Sequence, residues 1–217
     1  MSSTKPFSFD TIEDFDDHIA KSIPNYHLLS NSICDLSTFF LKPETHLIDI
    51  GCSTGKLLKK IPFSGKKMGI DISHNLLPLN DSFSNIEFLQ ADIRHMNELP
   101  PASMTLSIFT LQFIPIGDRL KVLQLIYNSL EKGGAFIMAE KTFQPDGLFE
   151  RVFTNAYYDF KRETFSTEEI MDKERDLRKL MTVQTSQENL DLAGQAGFIS
   201  GEMFWKFYNF EAWLFVK

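Results

Sequence analysis

The chain has 217 residues, 43% hydrophobic and 24% charged, with 29 acidic against 22 basic side chains and a formal net charge of −7. A chain of that length and composition forms one globular unit with a sizeable core, and its acidic balance argues against a broad nonspecific nucleic-acid footprint, which needs clustered Lys and Arg. Two cysteines, Cys34 and Cys52, argue against a disulfide framework and suit a reducing, cytoplasmic compartment. No apolar run reaches the ~18 residues of a membrane span, and the first residues, Met1 to Pro6, lack a signal-peptide pattern.

Taken in order, Phe9 to Ile23 is an acidic amphipathic stretch closed by Pro24. A second helix is predicted from Asn25 to Phe40, with Leu28, Leu29, Ile33, Leu36, Phe39 and Phe40 at helical spacing and Pro43 as its stop. These two helices are expected to cover the ligand edge of a sheet. From residue 44 to 141 the pattern alternates strands with helices or loops, the sign of a doubly wound parallel sheet. The strands are Leu47–Ile50, Lys67–Ile72, Ile86–Ile93, Met104–Phe109 and Ala135–Ala139, with a helix over Asp118–Leu130 that Gly133 and Gly134 end. Residues 142–217 read as helices and a hairpin. Leu148–Arg162 is aromatic, and Ser166/Glu169 and Thr185/Glu188 are capping boxes. Met203–Phe210 and Ala212–Val216 form an antiparallel pair turning near Glu211. The expected fold is α/β: one domain, a sheet of about seven strands, its last strand antiparallel, with an N-terminal helical cover.

The chemistry concentrates at the carboxyl ends of the first three strands. The first runs into Asp49-Ile-Gly51-Cys52-Ser53-Thr-Gly55, a loop whose glycines let backbone approach a ligand. The dinucleotide fingerprint wants glycine at the first, third and sixth loop positions, and here those are Gly51, Ser53 and Lys56. A P-loop wants Gly-Lys-Ser/Thr, and here Leu57 follows Gly55-Lys56. The second strand ends at Asp71, 20 positions after Gly51, where a carboxylate can accept both ribose hydroxyls. The third also ends in an aspartate, Asp92. The loop is similar to the D-x-G-x-G-x-G loop of class I S-adenosylmethionine (SAM) methyltransferases, with serine for the middle glycine. That likeness implies an adenine held by Asp92 and Ile93. Cys52 reads as a small loop residue, and His74 as a neighbour of the ribose side.

Further motifs narrow the likeness. Ile23-Pro-Asn-Tyr26, Asp49-Ile-Gly-Cys-Ser53, Phe109-Thr-Leu-Gln-Phe113, Gly133-Gly-Ala135 with Glu140-Lys141, Asp159-Phe-Lys-Arg162, and Ala196-Gly-Phe198 with the late Trp205, Phe207, Asn209 and Phe210 follow one another through most of the chain. In this the chain resembles the carboxy-S-adenosyl-L-methionine (carboxy-SAM) synthases. The resemblance implies a cytoplasmic, dimeric transferase that binds SAM, moves a carboxyl group from prephenate to the S-methyl carbon and releases phenylpyruvate. Its product serves tRNA wobble-uridine modification through a partner enzyme. It implies no membrane association and no direct nucleic-acid binding.

Residue by residue, the resemblance puts Tyr26, Gly51, Cys52, Ser53, Asp71, Ile72, Asp92 and Ile93 on the cofactor. Asp49, Gly55 and Ile108 complete that set, Ile108 standing where the family has asparagine. Arg175, Arg162 and Tyr26 are the expected catalytic residues. Lys141, Lys161 and Arg178 are further cations around the expected pocket, and Glu174 occupies the place of the family's carboxylate-binding arginine. Two other readings use the same cofactor loop: a methyltransferase with another acceptor, and a non-catalytic SAM- or S-adenosylhomocysteine-binding partner. No metal is expected.

Overall fold

The computed structural model describes residues 12, 14–79 and 85–217. Seven strands form one sheet in the order β3-β2-β1-β4-β5-β7-β6. They are β1 (His46–Ile50), β2 (Lys66–Asp71), β3 (Ile86–Gln90), β4 (Ala102–Ile108), β5 (Leu130–Lys141), β6 (Ser200–Phe207) and β7 (Phe210–Val216). The first five are mutually parallel, and β7 runs antiparallel between β5 and β6. Strand order reverses between β1 and β4, which opens a crevice at the carboxyl ends of β1, β2 and β4, the usual ligand position in such sheets.

Period-2 alternation gives the central strands β1, β4, β5 and β7 two buried faces. Ile48, Ile50, Phe136, Met138, Trp213 and Phe215 face one core with α4 (Ile116–Ser129) and α7 (Ser186–Ala196). Leu47, Met104, Leu106, Ala135, Ile137 and Ala212 face the other. That second core is closed by α1 (Phe15–Ser22), α2 (Tyr26–Ser37), α3 (Lys56–Lys60) and α5 (Gly147–Arg162). The remaining helix, α6 (Thr167–Leu180), starts at the predicted capping box, as α7 does at Thr185/Glu188.

Three boundaries differ from the sequence expectation. Helix α4 ends at Ser129 and β5 pairs from Leu130. Between the pairs Ala102↔Leu130 and Met104↔Ala135 a bulge carries the two glycines, with Gly133 at φ +76°. The glycines thus bend a strand, where a helix stop was expected. The hairpin turns at Tyr208-Asn209, because Tyr208 takes φ +49° and Glu211 is paired inside β7 opposite Glu140 and Lys206. The third strand stops at Gln90, since Asp92 opens a short 3-10 turn, Ile93–His95. The expected helix from Phe9 is seen from Phe15, and residues 1–11 lie outside the described residues. Among the described residues no helix is long and apolar enough to cross a membrane.

Candidate functional site

The crevice holds a cavity of about 600 Å³, within the range of small-molecule sites. One end is built from strand ends and loops. Gly51 and Cys52 both donate their N–H to the Ile70 carbonyl, at 2.7 and 3.2 Å, closing the loop onto β2. Gly51 (φ +75°) is packed so closely that a Cβ there would lie 2.1 Å from Thr110 Oγ1. Ser53 and Gly55 also take positive φ, and a Cβ on Gly55 would meet the Phe88 ring at 2.4 Å. The loop is therefore held by β2, β3 and the segment after β4 at once.

Asp71 is fixed by the same backbone. Its Oδ2 accepts the Ser53 N–H at 2.8 Å and its Oδ1 accepts the Ser73 N–H at 2.9 Å. Each oxygen has further acceptor capacity, so the carboxylate is oriented for a pair of hydroxyls. Asp49 lines the cavity from the end of β1, where burial and then the nearby Asp71 charge push its carboxyl up to about 8. A cationic ligand group beside Asp49 would favour its ionised form. Asp92 is gripped by its own neighbour: Arg94 Nε lies 2.9 and 3.0 Å from its two oxygens and Nη2 lies 2.5 Å from Oδ2. Hydrogen bonding from Arg94 holds this carboxyl below its ordinary range. Ile72 is 63% exposed at the rim, an apolar side chain left open where a planar base could pack.

Tyr26, Cys52, Ile93 and Ile108 also line the cavity. Burial raises both the Tyr26 phenol and the Cys52 thiol, and Asp49 adds to each. Cys52 is thus held as a thiol, and the structure uses it as packing: its Sγ would stand 2.7 Å from a Cβ on Gly69. Gly55 is the one cofactor candidate that does not touch the cavity; it shapes the loop. His74 is exposed and off the lining, while Ser73 and Leu76 beside it are on it.

The segment after β4 is locked by two buried ionisable side chains. Glu140 accepts the Leu111 and Gln112 N–H groups at 3.0 and 2.9 Å, and burial raises its carboxyl to about 8 against the pull of these donors and Arg119. Arg119, from α4, donates to the carbonyls of Ile114, Gln112 and Thr182 and to Gln184 Oε1. The Gln112 side chain accepts the Lys141 N–H at 2.8 Å. The Phe109–Phe113 motif is thereby a clamped loop, with Phe109 itself at φ +57°.

The other end is built from helices, and here the sequence expectation needs correction. Arg162 and Arg175 do not line the cavity. Both are exposed and pair within their own helices, Arg162 with Asp159 at 2.7 Å and Arg175 with Asp172 at 3.0 Å. Arg178 is exposed too. The reason is helix phase: in α5 the inward residue Tyr157 is followed four positions on by Lys161, and in α6 the buried Ile170 is followed by Lys173, Glu174 and Leu177. One step beyond the inward face rotates a side chain by ~100°.

At this end the cations that face inward are lysines, while Lys56 and Arg94 line the cavity elsewhere. Lys141 and Lys173 line the cavity, and Lys161 is 1% exposed behind it. Lys141 Nζ lies 5.0 Å from the Tyr157 ring centre and 3.4 Å from Glu174 Oε1. Glu174 thus faces inward, in ion pair with Lys141. Sequence reasoning missed Lys173; it expected the first helix to cover the ligand edge, as α1 does, but did not name Asp16, Ile19 and Ser22, which reach the lining, or the bond from the Thr54 hydroxyl to Asp16 Oδ1 at 2.9 Å. From α1, His18 packs against Lys173 and edge-on to Phe165. Among the described residues no group of three or more His, Cys, Asp and Glu could hold a metal.

Residues 41–196 match the family model described as "Methyltransferase domain". The chain is 34% identical to carboxy-S-adenosyl-L-methionine synthase of Staphylococcus epidermidis, over 95% of this chain and 94% of that protein. It is 33% identical to the Methylococcus capsulatus protein of the same name, over 94% and 89%. Among solved structures, a Haemonchus contortus phosphoethanolamine N-methyltransferase 2 with SAM matches at TM-score 0.64 and 16% identity, over 88% of this chain and 52% of that one. Human N-acetylserotonin methyltransferase with SAM matches at TM-score 0.56 and 17% identity, over 87% and 55%. These two likenesses speak for the fold alone.

Proposed function

We propose that this chain, which belongs to the carboxy-S-adenosyl-L-methionine synthase family, is a SAM-dependent transferase that moves a carboxyl group from prephenate onto the S-methyl carbon of SAM. The observation that carries the reading is the cavity's polarity: carboxylates Asp49, Asp71 and Asp92 at the strand-end side, lysines Lys141 and Lys173 at the helix side. A cationic nucleoside suits the first end and an anionic second substrate suits the second.

The residues present fit the nucleoside by their donor set. Asp71 takes the ribose hydroxyls, with Ser53 and Ser73 fixing its two oxygens. Ile72, Asp92 and Ile93 take the base. Gly51, Cys52, Ser53, Asp49 and Ile108 surround the amino-acid portion, and Gly55 keeps the loop in shape. Tyr26 lines the same cavity from α2. SAM supplies a methyl group whose hydrogens the adjacent sulfonium makes acidic. The overall exchange balances as SAM and prephenate giving carboxy-SAM, phenylpyruvate and water: the donor loses its ring carboxyl group and hydroxyl, and the methyl carbon loses one proton. The chain's part is to align the two substrates and keep bulk water away from the reacting carbon.

In the same reading the chain is one domain, works in the cytoplasm and feeds tRNA wobble-uridine modification through a partner enzyme. It forms a homodimer, for which the exposed Leu148, Phe149 and Val152 on α5 offer an apolar face. A second reading, a methyltransferase with a different acceptor, is favoured by Glu174 and Ile108, which stand where the resemblance places arginine and asparagine. The test is to incubate the purified protein with SAM and prephenate and weigh the nucleoside released. A mass gain of one carbon dioxide unit is expected. Unchanged SAM together with methylation of an added acceptor would select the second reading.

A further inference from the structure

Gln112 belongs to the Phe109–Phe113 motif and is 7% exposed, yet it lines the main cavity. Its backbone is held from three elements. The N–H donates to Glu140 Oε2 at 2.9 Å, and the carbonyl accepts the Thr182 N–H at 2.8 Å and Arg119 Nη2 at 3.2 Å. The side chain is held as well, since its Oε1 accepts the Lys141 N–H at 2.8 Å. Gln112 is therefore tied to β5, to α4 and to the segment after α6 at once.

These bonds decide which way the amide faces. A buried backbone N–H needs an acceptor, so the Lys141 N–H fixes Oε1 toward β5 and turns Nε2 away from it. Nε2 carries two N–H donors, and among the described residues it donates to none. It is also absent from the buried atoms that lack a partner, which are Thr105 Oγ1, Ser107 Oγ, Asn209 Oδ1 and Trp213 Nε1. An unpartnered nitrogen that is not itself buried, on a residue that meets open space at the main cavity, points into that cavity.

Its place is between the two ends. Along the chain it lies four residues after Ile108, which lines the strand-end side, and through Thr182 it is bonded beside Met181, which lines the helix side. An amide carries no net charge. It adds direction to a polar contact without attracting anions in general, so its match is a ketone or hydroxyl oxygen. A donor fixed in this way discriminates by geometry, because an analogue lacking the acceptor leaves it unpaired.

We propose that Gln112 is a specificity-determining residue of the second-substrate site, its fixed Nε2 donating a hydrogen bond to an uncharged oxygen of the carboxyl donor. The inference rests on the transferase reading above. Glu140, Arg119 and Thr182 act through Gln112 as positioning groups, which gives the clamp on the β4 loop a role in substrate choice.

The test is calorimetry on protein loaded with S-adenosylhomocysteine, which has no methyl carbon to react, titrated with prephenate and separately with phenylpyruvate. Gln112→Met removes the amide without adding charge. Gln112→Glu keeps an acceptor for the Lys141 N–H and turns the donor into an acceptor. Gln112→Met should raise the prephenate Kd about fivefold, the loss of one neutral hydrogen bond, and Gln112→Glu should raise it further. Both should keep the S-adenosylhomocysteine Kd within about twofold. Phenylpyruvate weakened in step assigns the bond to the keto oxygen it shares with prephenate; prephenate weakened alone assigns it to the ring oxygens that phenylpyruvate lacks. Unchanged prephenate affinity in Gln112→Met overturns the inference, as does a loss confined to S-adenosylhomocysteine. If Gln112→Met loses the nucleoside, Gln112→Glu decides: a prephenate loss equal at about 50 and 500 mM salt keeps the inference, and one that disappears at high salt is charge repulsion and overturns it. Loss of the nucleoside by both variants makes Gln112 a shaping residue of the loop and also overturns it. A natural chain that binds the nucleoside and not prephenate overturns the carboxyl-donor reading itself.

Discussion

The two ends of the cavity are made differently. At the acidic end most groups are set by backbone or by near neighbours: Asp71 by two N–H donors, the glycine loop by the Ile70 carbonyl, Asp49 by its place at the end of β1, and Asp92 by Arg94 two residues on. At the basic end the groups stand on long side chains from three elements, and their positions depend on how α1, α5 and α6 pack against Tyr157. Backbone fixes an aspartate to a fraction of an ångström. A lysine on a helix is fixed only as well as the helix is rotated. The contrast suits a cavity that holds one constant ligand and a second that can vary.

The contrast can be broken by mutation, and the largest effect belongs to the acidic end. Asp71→Ala should weaken SAM binding by about 100-fold, the loss of two hydrogen bonds to a charged group at ~1.5 kcal/mol each, measured by calorimetry. Unchanged affinity would remove the nucleoside assignment. Next is the clamp on the β4 loop. Glu140→Ala leaves the Leu111 and Gln112 N–H groups without their acceptor, a cost of about 3 kcal/mol, and should lower the melting temperature by roughly 10 °C. A smaller effect is expected for Asp49→Asn in the ligand-free protein. Asp49 keeps its proton to about 8 when folded, against an ordinary 3.8 when unfolded, so its contribution is greatest below pH 4 and is lost as pH rises to 8. Melts at pH 5 and 8 should show the natural chain losing about 1 kcal/mol or more relative to Asp49→Asn over that interval. Last, Arg162→Gln and Arg175→Gln should change carboxyl transfer by less than about twofold, because each is an exposed pair within one helix; a tenfold loss of turnover in either would move the catalytic cations back to the helix surface.

How far the sequence reaches follows the same division. The strands, the glycine loop and Asp71 were readable because apolar runs, turn residues and the spacing from Gly51 to Asp71 are local signals. Both capping boxes were readable for the same reason, and they place the starts of α6 and α7. At the basic end the sequence named Lys141 and Lys161 among the pocket cations but gave the catalytic places to Arg162 and Arg175 and passed over Lys173. The motif Asp159–Arg162 drew attention to Arg162, and alignment with a missing arginine drew it to Arg175, when Tyr157 and Ile170 were the better guides. Counting four from Tyr157 gives Lys161, and counting three and seven from Ile170 gives Lys173 and Leu177. The place of α1 over the ligand edge was expected, but no local signal singled out Asp16, Ile19 and Ser22 as its lining residues. The bulge at Gly133-Gly134 was mistaken for a helix end because glycine serves both.

Glu140 and Lys141 are neighbours on one strand, so the pleat sends them to opposite faces: one clamps the loop after β4, the other enters the lysine cluster. That makes the strand's length a question of parity. Deleting one residue between 135 and 139 would swing the carboxylate toward the ammonium groups and push the lysine at the loop's amides, spoiling both ends in a single event. Removing two would restore each face and shorten the reach. Insertions are better absorbed upstream, in the bulge at 131–134, where chain can be added before the alternation begins. Length variation in descendants of this chain should therefore collect at the bulge and spare the five residues that follow it.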